Sequence, residues 1–252
     1  MAIGTVRPAD GRTGTGGDLC GLAAVLAGLL VLRLVALSFN RTDLFFDEAQ
    51  YWSWSLAPDF GYYSKPPLIA WIIGVMTSVC GHGEACIRAA SPIMHTLTAG
   101  LICLTGRQLF DARTGFWSAI AFATLPGVSF SSGIISTDVP LLACWAAALY
   151  ALAVLIDDQE RHWWPAIALG LAIGLGLNAK YAMAYFVACT GLYLATTPAR
   201  RLLLRDRRLY AALAVAALLI APNVIWNVRN AFATIGHTAD NANWGRSLFH
   251  PA

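Results

Sequence analysis

The feature that most constrains this sequence is a series of long apolar runs that carry almost no charge. A helix needs about 20 mostly apolar residues to cross the hydrocarbon core of a bilayer. Charged residues make up only 12% of the 252 residues, whereas about 25% is usual in soluble domains. We therefore predict an all-α integral membrane protein, which excludes a soluble enzyme, a disordered chain and a nucleic-acid binder.

The apolar runs predict a module of about seven transmembrane helices over 19–252. A polar stretch rich in glycine and threonine, 1–18, precedes them and is expected to be a disordered cytoplasmic tail. A first outer loop, 40–87, follows the first span and carries outer-face juxtamembrane helices. The seven predicted spans are 19–39, 89–106, 115–135, 139–156, 163–179, 181–197 and 209–227.

The run 66–80 is ambiguous because it is short for a span and begins with two prolines. If it does not cross and the N-terminus is cytoplasmic, ten arginines and lysines lie inside and six lie outside. If it crosses, these two counts are exchanged. The positive-inside rule favours the first arrangement, so we predict a juxtamembrane helix on the outer face, with eight spans as the alternative.

Two adjacent acids, Asp47 and Glu48, lie in the first outer loop among several aromatic residues. Thr42 or Asp43 can cap a short helix that carries them. A carboxylate at a helix start beside an apolar surface is placed to act as a general base. The alternative is an aromatic anchor in the headgroup region whose acids face water.

Three further charged residues are expected on the outer side. Asp138 begins a helix capped by Thr137, on the same face as Asp47, and is either a site residue or part of the cap alone. The chain has only two lysines, Lys65 and Lys180, against fifteen arginines. Since the arginines set the orientation, these lysines indicate phosphate binding, with snorkelling to the interface as the alternative.

Two pairs of residues in the outer loop lie at spacings that allow direct bonds. Arg88 follows Glu84 by four residues, which favours an ion pair at a helix start over binding of a donor phosphate. Cys80 and Cys86 flank a short glycine-containing loop. A disulfide between them requires an oxidising compartment, and we favour two free thiols.

Amides and aromatic rings gather in other outer segments. Amides satisfy sugar hydroxyls, and aromatic rings stack on pyranose faces, although the same composition also suits an ordinary loop. The run 221–230 is rich in amides and aromatic rings. Separately, no spacing of cysteine and histidine in the sequence predicts a zinc site. The residues proposed on these grounds to bind sugar or acceptor are Tyr62, Tyr63, Asn241, Asn243 and Trp244.

These outer-side residues fit transfer of a sugar from a polyprenyl phosphate. Asp47 would deprotonate an acceptor hydroxyl as it attacks the anomeric carbon with inversion. A phosphate leaving group needs positive charge, which Lys65 and Lys180 would supply. The main alternative is a transporter or lipid flippase, which should carry charges within its spans. Only Arg33 lies well inside a predicted span.

Five stretches resemble the GT-C class of membrane glycosyltransferases, in the bacterial branch akin to protein O-mannosyltransferases, lipid A aminoarabinose transferases and lipopolysaccharide-core galacturonosyltransferases. The resemblance implies a catalytic acid at Asp47, a neighbouring acid at Glu48, a phosphate lysine at Lys65 and a second-loop acid at Asp138. Lys180 matches more loosely. The stretches are FFDEAQYWSW, YYSKPPLIAWI, GHGEACIRAASP, ISTDVPLLA and GLGLNAKYAMA.

The resemblance further implies a multi-pass protein of the bacterial inner membrane with a site that faces the periplasm. Its partners would be the bilayer, a polyprenyl-phosphate sugar and an envelope glycolipid, glycan or protein acceptor. It leaves a divalent metal open and implies no other cofactor. Members of this class run to roughly twice this length, so we expect a truncated chain, with a non-catalytic relative as a further alternative.

Overall fold

The computed structural model describes residues 16–241, in which helices alternate with short connecting segments and no strand is present. The first five helices form the outer loop and its flanking spans: α1 Gly16–Phe39, α2 Phe46–Ser55, α3 Leu68–Cys80, α4 Glu84–Arg88 and α5 Ala90–Leu109. The remaining helices are α6 Ala112–Thr124, α7 Pro126–Ser131, α8 Asp138–Asp157, α9 Trp164–Ala179, α10 Met183–Thr196, a 3₁₀ helix Pro198–Arg205, α11 Arg207–Arg229 and α12 Ala233–Asn241.

The helices confirm the prediction of an all-α membrane protein. In residues 16–241, four helical segments are long and apolar enough to cross a bilayer: Leu19–Phe39, Glu84–Leu109, Asp138–Asp157 and Arg207–Arg229. Three shorter apolar helices are α3, α9 and α10. At 1.5 Å per residue, the 13 residues of α3 extend about 20 Å, well short of a bilayer core of about 30 Å. The total of seven spans stays a prediction.

The predicted span 115–135 is two helices rather than one. Leu125 leaves the helical conformation, with ψ at 135°, between α6 and α7. Pro126 causes this break, because proline disfavours the helical conformation in the residue before it and has no N–H of its own. Arg33 donates from its guanidinium to the carbonyl of Ala123 beside the break, so this intramembrane charge satisfies a freed backbone group.

The central packing of the bundle joins α8, α9 and α11. Their buried side chains form the largest apolar cluster among the described residues. Gly170 and Gly174 of α9 lie so close to α11 that an added Cβ would meet the backbone of Ala212 or the side chain of Leu219 at 2.5–2.7 Å. Small residues therefore let these two helices approach closely, as is usual between membrane helices.

Charged side chains lie at the two ends of this bundle. Asp138 begins α8 and forms an ion pair with Lys180, which follows α9. At the other end of α8, Asp158 forms an ion pair with Arg208 in the first turn of α11. Since the 20 residues of α8 extend about 30 Å, the two groups are separated by roughly the thickness of a bilayer core. We call them the Asp138 end and the Asp158 end.

Candidate active site

Asp47 and Glu48 point in different directions from the first turn of α2. Asp47 is exposed, whereas Glu48 is only 2% exposed. Successive residues of a helix are about 100° apart around its axis, so one acid faces outward while its neighbour enters the protein. The predicted cap at Thr42 or Asp43 is wrong, because α2 begins only at Phe46.

Glu48 is held by a buried ion pair with Arg88. The guanidinium donates from Nε to Oε1 at 2.9 Å and from Nη2 to Oε2 at 2.6 Å. The carboxylate also accepts the backbone N–H groups of Ile135 at 2.8 Å and Phe45 at 3.0 Å. Burial alone would raise the pKa of Glu48, but these hydrogen bonds together with the positive charge of Arg88 hold its pKa below the ordinary value.

The guanidinium of Arg88 also donates to backbone carbonyls in the segment before α2. Its Nη1 and Nη2 donate to the carbonyls of Thr42 and Asp43, each at 2.9 Å. This arrangement differs from both roles predicted for Arg88, since its partner is Glu48 rather than Glu84, and its side chain is 1% exposed. Arg88 and Glu48 therefore join α2, α4 and the segment before α8 into one scaffold.

Asp138 and Lys180 meet at the outer surface of this scaffold. Lys180 Nζ lies 2.7 Å from Asp138 Oδ1, and the two side chains are 39% and 58% exposed. Thr137 precedes α8, as predicted, but its side chain makes no capping hydrogen bond. The pair therefore combines an accessible carboxylate with an accessible ammonium group.

Tyr51 links Asp47 to Asp138. The phenol is 2% exposed, and burial raises its pKa first, followed by the negative charges of Asp47 and then Asp138. Asp47 lies one helical turn before Tyr51 on α2, while Asp138 comes from α8. Both carboxylates therefore act electrostatically on the same phenol.

Lys65 lies in the segment between α2 and α3. Its carbonyl accepts the N–H of Tyr62 at 3.2 Å, while its side chain is half-buried and forms no ion pair within residues 16–241. Asn223 connects the loop that carries Lys65 to the residue after Lys180, because it donates to the carbonyl of Phe60 and accepts from Tyr181 Oη. The two lysines therefore lie at the same end of the bundle.

Tyr62 and Tyr63 differ in their surroundings. Tyr62 is buried, stacks on Trp54 with ring centres 4.7 Å apart, and donates to the Trp54 carbonyl at 3.1 Å. Tyr63 is 63% exposed and lies 5.1 Å from the ring of His237. Tyr62 thus supports the loop, and Tyr63 is the one of the two that a ligand can reach.

The amides of the run 221–230 hold the outer loop in place, and the run is helical rather than a loop. Asn223 donates to the carbonyl of Phe60 at 2.8 Å and accepts from Tyr181 Oη at 2.8 Å. Trp226 Nε1 donates to Asp59 at 2.7 Å. A Cβ on Gly61 would collide with the Trp226 indole. These contacts connect the Lys65 segment to the residue after Lys180.

The outer loop contains a disulfide. Cys80 and Cys86 form a disulfide with Cα atoms 5.8 Å apart, so the expectation of free thiols is wrong. Gly81, whose φ of 87° suits a residue without a Cβ, reverses the chain between them.

Asn243 and Trp244 lie outside the described residues, as does the side chain of Asn241. Within the described range, no group of three or more acids, histidines or cysteines is placed to hold a metal.

The fold is that of a GT-C membrane glycosyltransferase. A crystal structure of ArnT from Cupriavidus metallidurans in the apo state matches 94% of this chain and 46% of its own length, with a TM-score of 0.68 and 20% identity. Residues 64–226 match the family described as dolichyl-phosphate-mannose-protein mannosyltransferase. The chain belongs to this family.

Curated relatives agree with this assignment. The chain is 41% identical over 225 residues to the lipid A galacturonosyltransferase RgtD of Rhizobium johnstonii, covering 89% of this chain and 46% of that protein. It is 30% identical over 128 residues to an undecaprenyl phosphate-alpha-4-amino-4-deoxy-L-arabinose arabinosyl transferase of Proteus mirabilis, covering 48% of this chain and 23% of that protein. The chain spans less than half the length of these relatives.

Proposed function

We propose that this protein transfers a sugar from a polyprenyl phosphate to an envelope acceptor at the outer face of the membrane. The observation that carries the proposal is the pairing of the accessible Asp138 and Lys180 at 2.7 Å, together with the accessible Asp47, whose charge acts on the same buried Tyr51 phenol as that of Asp138. The named donor of the Proteus relative is an undecaprenyl phosphate sugar, which supports this class of donor.

Asp47 is the base in the proposed reaction. It is the exposed acid of α2, whereas its neighbour Glu48 is bound on both oxygens by Arg88 and backbone N–H groups. The acceptor hydroxyl gives its proton to Asp47 as its oxygen forms a bond to the anomeric carbon. The bond from that carbon to the phosphate oxygen breaks, so the configuration inverts. Glu48 positions α2 and takes no part in proton transfer.

Lys180 and Lys65 bind the phosphate that leaves. The electron pair of the broken bond stays on the phosphate oxygen, and ammonium groups stabilise the charge that develops there. Asp138 holds Lys180 at 2.7 Å and keeps it at the site before the donor binds. Lys65 has no carboxylate partner within the described residues, so its charge is free to meet a phosphate.

Lipid A is the acceptor that we propose, and galacturonic acid the sugar. The support for both is the relative RgtD, a lipid A galacturonosyltransferase that is 41% identical over 89% of this chain. Tyr63, exposed at the same end of the bundle, is available to stack on a sugar ring. Tyr62 supports Tyr63 from within the loop, through its contacts with Trp54.

The Asp138 end faces the periplasm of the bacterial inner membrane in this proposal. The arginine-rich segment before α11 lies at the Asp158 end, as a cytoplasmic position requires. The disulfide between Cys80 and Cys86 fits an oxidising compartment on the other side. Reporter fusions at residues 82 and 204 should therefore report opposite faces. Finding both on one face would overturn this orientation.

The decisive experiment substitutes Asp47→Asn in the protein expressed from its own gene. Membranes are given a polyprenyl-phosphate galacturonic acid donor and lipid A, and product is measured by mass spectrometry. We expect a loss of about 10²- to 10⁴-fold, the usual contribution of a general base. Asp43→Asn is the matched control, since this exposed acid contributes only its carbonyl to the scaffold. Full activity of Asp47→Asn would overturn the proposal, as would an unmodified protein that transfers no sugar.

A further inference from the structure

A cavity lies at the Asp158 end, away from the proposed active site. Its volume is about 320 Å³, which is within the range of small-ligand pockets, about 300–1,000 Å³. It opens between the end of α8, the segment before α9 and the 3₁₀ helix Pro198–Arg205. Its lining includes both charged and apolar side chains, among them Leu155, Asp158, Arg161, Arg200, Leu202 and Arg208.

Arg208 is fully engaged in the wall of this cavity. Its Nε and Nη2 donate to Asp206 at 2.9–3.3 Å, and its Nη1 donates to Asp158 at 2.7 Å. All three side chains are at most 8% exposed. This wall is therefore a fixed framework, because the guanidinium and the two carboxylates satisfy one another.

Arg161 and Arg200 differ from Arg208 in being accessible. Arg161 is 67% exposed and, within residues 16–241, has a single ion-pair contact, at 3.3 Å to Asp206. Arg200 is 41% exposed, and its contact with Asp157 is long, at 4.0 Å. Most of their N–H donors are thus open to a ligand. Arg161 also has a φ of 60°, a backbone conformation that residues other than glycine seldom adopt and that occurs often at binding sites.

The charge around the cavity favours an anion. Residues 157–162 and 198–208 together carry six arginines and four acids, an excess of two positive charges. Guanidinium groups bind phosphate through paired N–H donors. The net positive charge around the cavity and the accessible guanidinium N–H donors therefore both suit a phosphate group.

The apolar residues indicate where such a phosphate comes from. Leu202 of the 3₁₀ helix lines the cavity and is 77% exposed, and Leu155 at the end of the membrane helix α8 lies in the same wall. A soluble anion gains nothing from contact with these apolar side chains, whereas a lipid acyl chain packs against them. Basic pockets between membrane helices on the cytoplasmic side bind lipid headgroups elsewhere.

We propose that this cavity binds the headgroup phosphate of an anionic phospholipid of the cytoplasmic leaflet, with Arg161 and Arg200 as the ligands of the phosphate and Leu202 beside its acyl chain. The site involves no residue of the Asp138 end. It would anchor the 3₁₀ helix and the start of α11 to the bilayer surface.

The test measures lipid binding to the purified full chain in detergent by native mass spectrometry. Phosphatidylglycerol is compared with phosphatidylcholine of the same acyl chains, and inorganic phosphate is added as a competitor. The variant Arg161→Gln/Arg200→Gln removes both ligands. The control Arg107→Gln/Arg113→Gln removes two charges from the last turn of α5 and the first turn of α6, which do not line the cavity. Thermal unfolding of each variant checks that it is folded.

The unmodified chain should retain phosphatidylglycerol in preference to phosphatidylcholine. The Arg161→Gln/Arg200→Gln variant should bind it about tenfold more weakly, because charge-assisted hydrogen bonds are lost, and the control should bind it as before. Equal retention of both lipids, or an equal loss in the control, would overturn the proposal. Displacement by inorganic phosphate would also overturn it, by assigning the site to a soluble phosphate. Sugar transfer is not measured, so the result is independent of the proposed catalysis.

Discussion

Glu48 and Arg88 lie 40 residues apart in the chain and form a two-pronged ion pair, with N to O distances of 2.9 and 2.6 Å. Both side chains are at most 3% exposed. The pair connects the helix that carries Asp47 to the segments that lead into α5 and α8. The exposed acid of α2 is therefore positioned by the buried acid beside it in the sequence.

Removal of this buried charge should destabilise the protein strongly. Glu48→Gln leaves the Arg88 guanidinium buried without its counter-ion, which typically costs about 3–5 kcal/mol. Thermal unfolding in detergent, followed by tryptophan fluorescence, should show a clear fall in Tm. Glu84→Gln is the control, because Glu84 forms no ion pair with Arg88, and its Tm should stay close to that of the unmodified protein.

The same pair predicts how stability depends on pH. The pKa of Glu48 is lower in the folded protein than its ordinary value of 4.5. The unfolded chain therefore binds the proton more readily, so the stabilisation is fully present above this value and is lost as the pH falls through the folded pKa. The Tm difference between the unmodified protein and Glu48→Gln should be greatest above about pH 5 and should shrink at lower pH. A difference that stays constant down to low pH would contradict this explanation.

Lys180→Gln should affect transfer much more than stability. The Asp138 pair is substantially exposed, and such pairs contribute about 0–1 kcal/mol. Loss of a charge-assisted hydrogen bond to the donor phosphate should lower kcat/KM about tenfold to a hundredfold. Steady-state kinetics with varied donor test this, with Arg229→Gln as an exposed cation control from the end of α11. Equal activity of Lys180→Gln and the control would remove Lys180 from the mechanism.

Cysteine labelling should distinguish the disulfide from free thiols. Of the six cysteines, Cys20, Cys103, Cys144 and Cys189 are free. The denatured protein should therefore take up four maleimide groups before reduction and six afterwards. Cys80→Ser/Cys86→Ser should unfold with about 2 kcal/mol less stability, as expected for closure of so short a loop. Six labelled thiols without reduction would contradict the disulfide.

The candidate site was predictable in part because membrane proteins separate their charges by side. Counting cations assigned 66–80 to the outer face, and this placed Asp47, Lys65, Asp138 and Lys180 together. In the structure Asp138 pairs with Lys180, and the charges of Asp47 and Asp138 both act on the phenol of Tyr51. Their roles in catalysis stay proposals that the substitutions above will test.

Other outcomes were not predictable from neighbours in the sequence. Glu84 and Arg88 have the spacing of a helical ion pair, yet Arg88 turns to Glu48 because that contact satisfies a buried carboxylate and two loop carbonyls at once. Asn223 and Trp226 have the composition of a sugar site but bind Phe60 and Asp59 instead. In each case the partner lies far away along the chain.

The helical membrane fold, the positions of most helices and the grouping of charged residues at one end could all be predicted from the amino-acid sequence. These properties follow from the cost of placing charges in hydrocarbon and from helical periodicity, both of which act over short stretches of chain. The burial of Glu48 and the exposure of Asp47 became visible only in the folded protein, because they depend on the partner that packing brings to each carboxylate. Burying a charge is favourable only with such a partner in place, and the partner of Glu48 is 40 residues away.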